Sequence, residues 1–123
     1  MGTVSKESTG EPITGPGFEG SYGETEGYTV GFERYTEHAD LAPYFVGLPE
    51  DRCQSPHWGY VFSGKLVFHT AEGPVEITDG MAYSVGAGHT PEIFPGTELV
   101  EFSPTADFQE TMDVVGKNME SMG

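Results

Sequence analysis

Six short runs between Trp58 and Phe102 are each closed by glycine or proline, and this punctuation constrains the fold more than any other feature of the chain. Trp58 to Phe62 ends at Ser63-Gly64, Lys65 to Thr70 at Ala71-Glu72-Gly73-Pro74, and Val75 to Thr78 at Asp79-Gly80. Met81 to Val85 ends at Gly86-Ala87-Gly88, Glu92 to Phe94 at Pro95-Gly96, and Glu98 to Phe102 at Ser103-Pro104. Each run is too short for a helix of ordinary length, and β-branched and aromatic residues recur through them. Strands at this spacing, with no crossover helix between them, imply an antiparallel sandwich or barrel.

The flanks read differently. Residues 1–26 are rich in Gly, Ser, Thr, Glu and Pro, with Val4, Ile13, Phe18 and Tyr22 as the available anchors. So little apolar surface does not offset the entropy of ordering, which predicts a flexible N-terminal arm, free to lie along a partner subunit as an edge strand. From Tyr28 the pattern changes: Tyr28, Val30 and Phe32 alternate with Thr29, Gly31 and Glu33, the period of a half-buried strand. Residues 40–52 hold Pro43, Gly47 and Pro49 and read as a loop with a short strand around Tyr44 to Val46. Past the strands, Phe108, Met112, Val115 and Met119 recur at helical intervals, with Ser103 as N-cap and Pro104 at the first helical position. The expected organisation is an arm over 1–26, a β-barrel over 27–104, and a short C-terminal helix and tail over 105–123. At 123 residues there is room for one core.

Twenty acidic residues against five basic ones give a net charge of −15. Phosphate recognition needs clustered Lys and Arg, so neither nucleic acid nor an anionic membrane is expected as a partner, and phosphorylated substrates are disfavoured. The acids are scattered along the chain, as on a solvated, self-repelling surface. No apolar run reaches the ~20 residues that cross a bilayer. A single cysteine cannot form an internal disulfide, and no apolar segment follows the N-terminal lysine, so the cytoplasm is the expected location. No GxSxG, P-loop, dinucleotide or HExxH motif is present.

Chemistry concentrates in CQSPHWGYVFSG, residues 53–64, and in GAGH, which ends at His89. Cys53 and His57 share parity, so on one continuous strand they would lie ~13 Å apart. A turn at Gln54-Ser55-Pro56 would instead set them facing each other on neighbouring strands, with His89 arriving from a third. One thiolate and two imidazoles with a fourth position open is a catalytic zinc pattern that also suits iron, nickel or copper. Asp51 or Glu101 could add an oxygen. The alternative is structural: a buried thiol packing as a small hydrophobe, a hydrogen-bonded barrel histidine, and a histidine capping a turn. His38 and His69 read as solvent-exposed. Trp58, Tyr60, Phe62 and Tyr83 either line a ligand pocket or pack on a sheet surface or dimer interface.

The segment from Cys53 to Phe102 resembles the small single-domain cupins. His57-Trp58-Gly59-Tyr60-Val61-Phe62-Ser63-Gly64 is similar to the end of that family's first motif, residues 64–80 to its intermotif hairpin, and VGAGHTPEIF to its second motif. The resemblance implies a jelly-roll barrel and a metal site. By position, His57 stands where the family has glutamate, Cys53 and Asp51 where it has histidines, and His89 two residues before the usual second-motif histidine. The expectation is therefore an all-β, cupin-like antiparallel jelly-roll barrel, forming a homodimer because edges and aromatic faces in such barrels are covered by a partner. Cys53, His57 and His89 are the candidate ligands of a divalent ion (zinc, iron or nickel), in a metal-dependent enzyme for a small molecule. Trp58, Tyr60, Phe62, Tyr83 and Glu101 are the candidate ligand-binding residues. The competing expectation is a metal-free, non-catalytic cupin that binds a ligand or serves as an oligomeric accessory protein.

Overall fold

The computed structural model describes residues 1–122. Its chain runs through β1 (Ile13–Gly15), β2 (Phe18–Thr25), β3 (Tyr28–Tyr35), β4 (Ala39–Asp40), β5 (His57–Ser63), β6 (Lys65–Thr70), β7 (Gly73–Thr78), β8 (Ala82–Val85), β9 (His89–Ile93), β10 (Thr97–Pro104) and α1 (Thr105–Met122). All six punctuated runs are strands. They form a six-stranded sheet in the order β1-β2-β3-β10-β5-β8 and a four-stranded sheet in the order β4-β9-β6-β7, every pairing antiparallel. The two sheets face each other as an open jelly roll. Among the described residues, no helix is long and apolar enough to cross a membrane.

Gly64 and Thr97 join the sheets at one end. Gly64 takes a left-handed φ of 92°, and a Cβ there would fall 2.3 Å from the Thr97 hydroxyl. That hydroxyl accepts from the Lys65 amide at 3.0 Å and donates to the Phe94 carbonyl at 2.6 Å. Above this corner Tyr35, Val61, Leu66, Phe68, Ile77, Ile93 and Leu99 fill the space between the sheets as one apolar cluster. The opposite half of the interior is polar.

Three local expectations are corrected. Residues 18–25, assigned to the flexible arm, form β2 and pair with β3 along its whole length. Composition hid this strand because its burial is borrowed: Gly20 and Ser21 are buried only by their neighbours. Tyr44 to Val46 is no strand. Ala42–Phe45 is a single 3₁₀ turn with proline in its first turn, and it drops Phe45 onto Val115 of α1 and Cys53. Ser103 is not a helix cap, since β10 continues to Pro104 and the Thr105 amide bonds the Gly27 carbonyl. β3 has the expected period: Thr29, Gly31, Glu33 and Tyr35 point into the barrel, and Tyr28, Val30 and Phe32 stand on the other face, where Val30 is buried.

Candidate functional site

A row of inward positions crosses five strands in register: Tyr22, Gly31, Glu101, Gly59 and Tyr83. The two glycines flank Glu101 and make berths for the two phenols. A Cβ on Gly31 would lie 2.7 Å from the Tyr22 ring, and one on Gly59 would lie 2.4 Å from the Tyr83 hydroxyl. With the rings so placed, Tyr83 donates to Glu101, and Tyr22 donates to Glu33 one pleat away. Desolvation holds both carboxyls above the usual carboxylate range, and the charge of Glu101 adds to the effect on Glu33. Burial and the neighbouring carboxylates push the Tyr22 and Tyr83 hydroxyls up.

The next inward row carries Ser103 on β10 and His57 at the start of β5. His57 Nδ1 lies 2.7 Å from the Ser103 hydroxyl and 3.2 Å from the Glu101 carboxyl. These acceptors place the ring proton on Nδ1 and leave the Nε2 lone pair facing Cys53 Sγ at 3.5 Å. Cys53 reaches that point by a route different from the expected one. The turn at Gln54-Ser55-Pro56 does bring it to His57, but its backbone partner is His89 of the other sheet. The Cys53 amide donates to the His89 carbonyl at 2.8 Å, and the Gly88 amide donates to the Cys53 carbonyl at 2.7 Å. His89, at the start of β9, has Nδ1 2.7 Å from the Gly86 carbonyl, which fixes its proton there as well.

Among the described residues the His89 Nε2 lone pair has no partner, although the residue is only 1% exposed. A buried polar atom without a partner is costly and calls for an explanation. Here one ligand atom from each of Cys53, His57 and His89 lies within 4.8 Å of the others, and all three residues are buried. A tetrahedral ion with ordinary zinc–sulfur and zinc–nitrogen bonds sets its S and N donors ~3.6 Å apart, close to the 3.5 Å between Cys53 Sγ and His57 Nε2. The soft, borderline donor set and the unpartnered lone pair both fit a metal ion. Burial pushes the Cys53 thiol up to about 11 and both imidazoles down to about 4, with His57 adding to the effect on His89. The histidines are thus ready as neutral ligands, and the thiol is the donor that must give up a proton.

The remaining candidates divide between the two sides of the sheet. Tyr83 and Glu101 lie inside. Glu101 stands behind His57, against Nδ1, and so orients the ring from the side away from the three donor atoms. Trp58, Tyr60 and Phe62 alternate with His57, Gly59 and Val61 and stand on the outer face of the sheet. Asp51 lies in an exposed loop and accepts from the Gly47 amide at 3.0 Å, away from the three donors. His38 and His69 are exposed, as expected, but both contact one carboxylate: their Nε2 atoms lie 2.6 and 2.8 Å from the two oxygens of Glu92, whose pKa they lower. Sequence reasoning missed Glu33, Tyr22 and Ser103. The available signal was the small–acidic alternation of Gly31-Glu33 opposite Glu101-Ser103, which is polar where a strand face should be apolar.

No protein-family model matches the chain, and no curated protein matches it in sequence. Solved structures do. An RmlC-like cupin from Shewanella frigidimarina is 15% identical, with a TM-score of 0.56 over 82% of this chain and 88% of that one. Pac13 of Streptomyces, a nucleoside dehydratase, is 17% identical, with a TM-score of 0.55 over 85% and 82%. KdgF from a Halomonas species is 12% identical, with a TM-score of 0.53 over 82% and 92%. At these identities the likeness concerns the fold alone. The structural relatives and the two-sheet topology agree with the motif resemblance, and the chain is a small cupin-fold protein.

Proposed function

We propose that Cys53, His57 and His89 hold a divalent metal ion and that the protein is a metal-dependent enzyme for a small organic molecule without phosphate. The unpartnered, fully buried lone pair of His89 Nε2 carries this reading, because a ligand on that atom removes its cost. When bound, such an ion supplies Lewis acidity, or redox chemistry with O₂ if it is iron. The chain's own groups do the rest. Ser103 and Glu101 hold the His57 proton on Nδ1, the Gly86 carbonyl holds that of His89, and the Phe68 ring, 5.1 Å from His89, helps to keep the donors dry. Glu33 and Glu101 line a recess whose water-centre volume is about 10 Å³, roughly one water, and their raised carboxyls can exchange a proton near neutral pH. None of the five basic residues lines that recess. Arg34, Arg52 and Lys65 pair with surface carboxylates, and Lys6 and Lys117 are exposed. A reduced thiol ligand suits a reducing compartment such as the cytoplasm.

Phe108 of α1 covers the recess beside Tyr22, so a substrate larger than water must displace this pair. The small recess is also what favours the second reading, a metal-free cupin with an accessory role. Metal analysis of protein purified without a histidine tag separates them. One equivalent of metal, lost in Cys53→Ala and in His57→Ala, supports the enzyme; folded protein that takes up no Co²⁺ or Zn²⁺ on titration refutes it.

A further inference from the structure

A cleft on the outer face of the six-stranded sheet is far roomier than the interior recess: its water-centre volume is about 100 Å³, against about 10 Å³. Lys6, Phe32, Arg34, Phe62 and Glu98 line it, and it reaches down to the buried Leu99. Glu33 borders it from the far side of the sheet, its carboxyl being bonded to Tyr22 inside the barrel. Two irregularities make the cleft. β5 and β10 slip by one residue between the pairs Ser63–Glu98 and Val61–Leu99, so Phe62 has no partner on β10 and stands 53% exposed on the bulge. The other irregularity is the N-terminal segment. Lys6–Ser8 is a 3₁₀ turn closed by a capping box: the Ser8 amide donates to the Ser5 hydroxyl at 3.1 Å, and the Ser5 amide to the Ser8 hydroxyl at 2.9 Å. Just before it, Val4 fills the space that Gly23 leaves open, since a Cβ there would fall 2.6 Å from the valine. Gly23 lies opposite the buried Val30 in register. A segment of disordered composition is thus fixed against the sheet, and it carries Lys6 to the rim of the cleft.

The chain has five basic residues, and two of them line this cleft. Among the described residues Lys6 Nζ has no salt bridge, and Arg34 has one, through Nε to Glu98 at 3.7 Å, which leaves its two terminal nitrogens for another acceptor. Set against Glu98, the two cations leave an excess of one positive charge in a protein whose total is −15.

We propose that the cleft binds a small organic monocarboxylate, its carboxylate held between Lys6 and the Arg34 guanidinium and its apolar body against the Phe32 and Phe62 rings. One negative charge balances the local excess, and the planar guanidinium suits a carboxylate. A di- or polyanion would gain no further partner here and would meet the repulsion of the whole chain. The volume is room for several waters, enough for a ring-sized body and short of the space a drug-sized ligand takes. The sheet separates this site from the three donors. Arg34 and Glu98 face outward on β3 and β10, whereas Gly31, Glu101 and Ser103 of the same strands face the interior, so a ligand here does not touch a metal on Cys53, His57 and His89. The inference does not depend on that metal.

Titration of the ¹⁵N-labelled full chain with phenylacetate, followed by amide chemical shifts, tests it. The amides of Lys6, Phe32, Arg34 and Phe62 should move together, with a dissociation constant on the order of 1 mM in ~0.05 M NaCl. Raising the salt to ~0.5 M should weaken binding severalfold, because the charges are near the surface. Acetate, which has the head without the body, should bind more than about tenfold more weakly. Benzylamine, which has the body with the opposite charge, should leave these amides unmoved. Lys6→Gln should weaken phenylacetate binding about fivefold, and Lys6→Gln with Arg34→Gln more than about tenfold, while Lys117→Gln on α1 should have no effect. Lys6, Arg34 and Lys117 are all exposed, so these variants should fold as the wild type does. Amides at the cleft that stay still up to about 20 mM phenylacetate overturn the proposal, as does movement confined to the amides of Cys53, His57 and His89. Equal binding of benzylamine, or unchanged affinity in the double variant, overturns it too.

Discussion

The protonation states of the three donors predict how metal uptake responds to pH. With both imidazoles near 4, His57 and His89 are neutral throughout the range above pH 6 and release no proton on binding. Cys53, near 11, is a thiol up to at least pH 9.5 and must lose one proton to become a ligand. Above pH 8 the raised carboxyls of Glu33 and Glu101 are ionised and add nothing. Exactly one group therefore titrates on binding, and the apparent affinity should climb about tenfold per pH unit, or roughly 30-fold from pH 8 to 9.5. Cys53→Ala, which loses its metal on purification, should take it up only weakly from excess metal in titration, and over the same interval that weak affinity should change by less than about twofold, because no remaining ligand changes state. Competition with a chromophoric chelator at four pH values, corrected for the chelator's own titration, measures both slopes. Calorimetry in buffers of different ionisation enthalpy counts the released proton independently. A wild-type slope near zero, a slope near two, or an unchanged slope in Cys53→Ala would refute the assignment of Cys53 as the protonated ligand.

Three further outcomes follow from the same geometry. In the metal-free protein, His57 and His89 titrate below their unfolded values, so the stability they contribute is lost as pH falls from about 6.5 toward 4. Glu33 and Glu101 titrate above theirs and oppose this, being stabilising when protonated; Glu33→Gln should therefore make urea stability fall by about 2 kcal/mol between pH 6.5 and 5, where the wild type stays nearly flat. A flat profile in the variant would show that the opposition is absent. Gly59→Ala puts a methyl 2.4 Å from the Tyr83 hydroxyl and 2.6 Å from the Val100 carbonyl, and should cost about 2–3 kcal/mol and some 10 °C in Tm by calorimetry, whereas Gly15→Ala, with nothing within 4 Å, should cost under about 1 kcal/mol. Ser103→Ala removes the nearer acceptor of the His57 proton and should weaken Co²⁺ binding on the order of tenfold with unchanged stoichiometry; equal affinity would mean that Glu101 alone orients the ring.

The strands after Trp58 were legible because glycine and proline end each one, and turn chemistry is local. The meeting of Cys53 and His57 was legible for the same reason, in Ser55-Pro56. What local chemistry could not reveal was whatever depends on a distant neighbour. β2 is held by β3, Ser103 is drawn inward by the register that sets it beside His57, and Tyr44 follows Pro43 into a 3₁₀ turn because Phe45 has a pocket to fill against α1. The face of β3 was hidden by its own composition. Tyr28 and Phe32 look like core residues, yet the inward parity belongs to Gly31 and Glu33, whose surroundings come from four other strands.

The five-strand row from Tyr22 to Tyr83 bears on where the protein can be cut. A chain begun at residue 27 would retain Cys53, His57 and His89, every strand that carries them, and the helix above. It would lose Tyr22 and, with β2, one wall of the recess, letting water in to Glu33 and to the empty side of Gly31. The carboxyls would then relax toward ordinary acidity, and with a wetter interior the donors would hold a cation less tightly. A fragment chosen for its compactness would keep the three donors and lose the dry wall beside them, which is supplied by a segment that composition alone would discard.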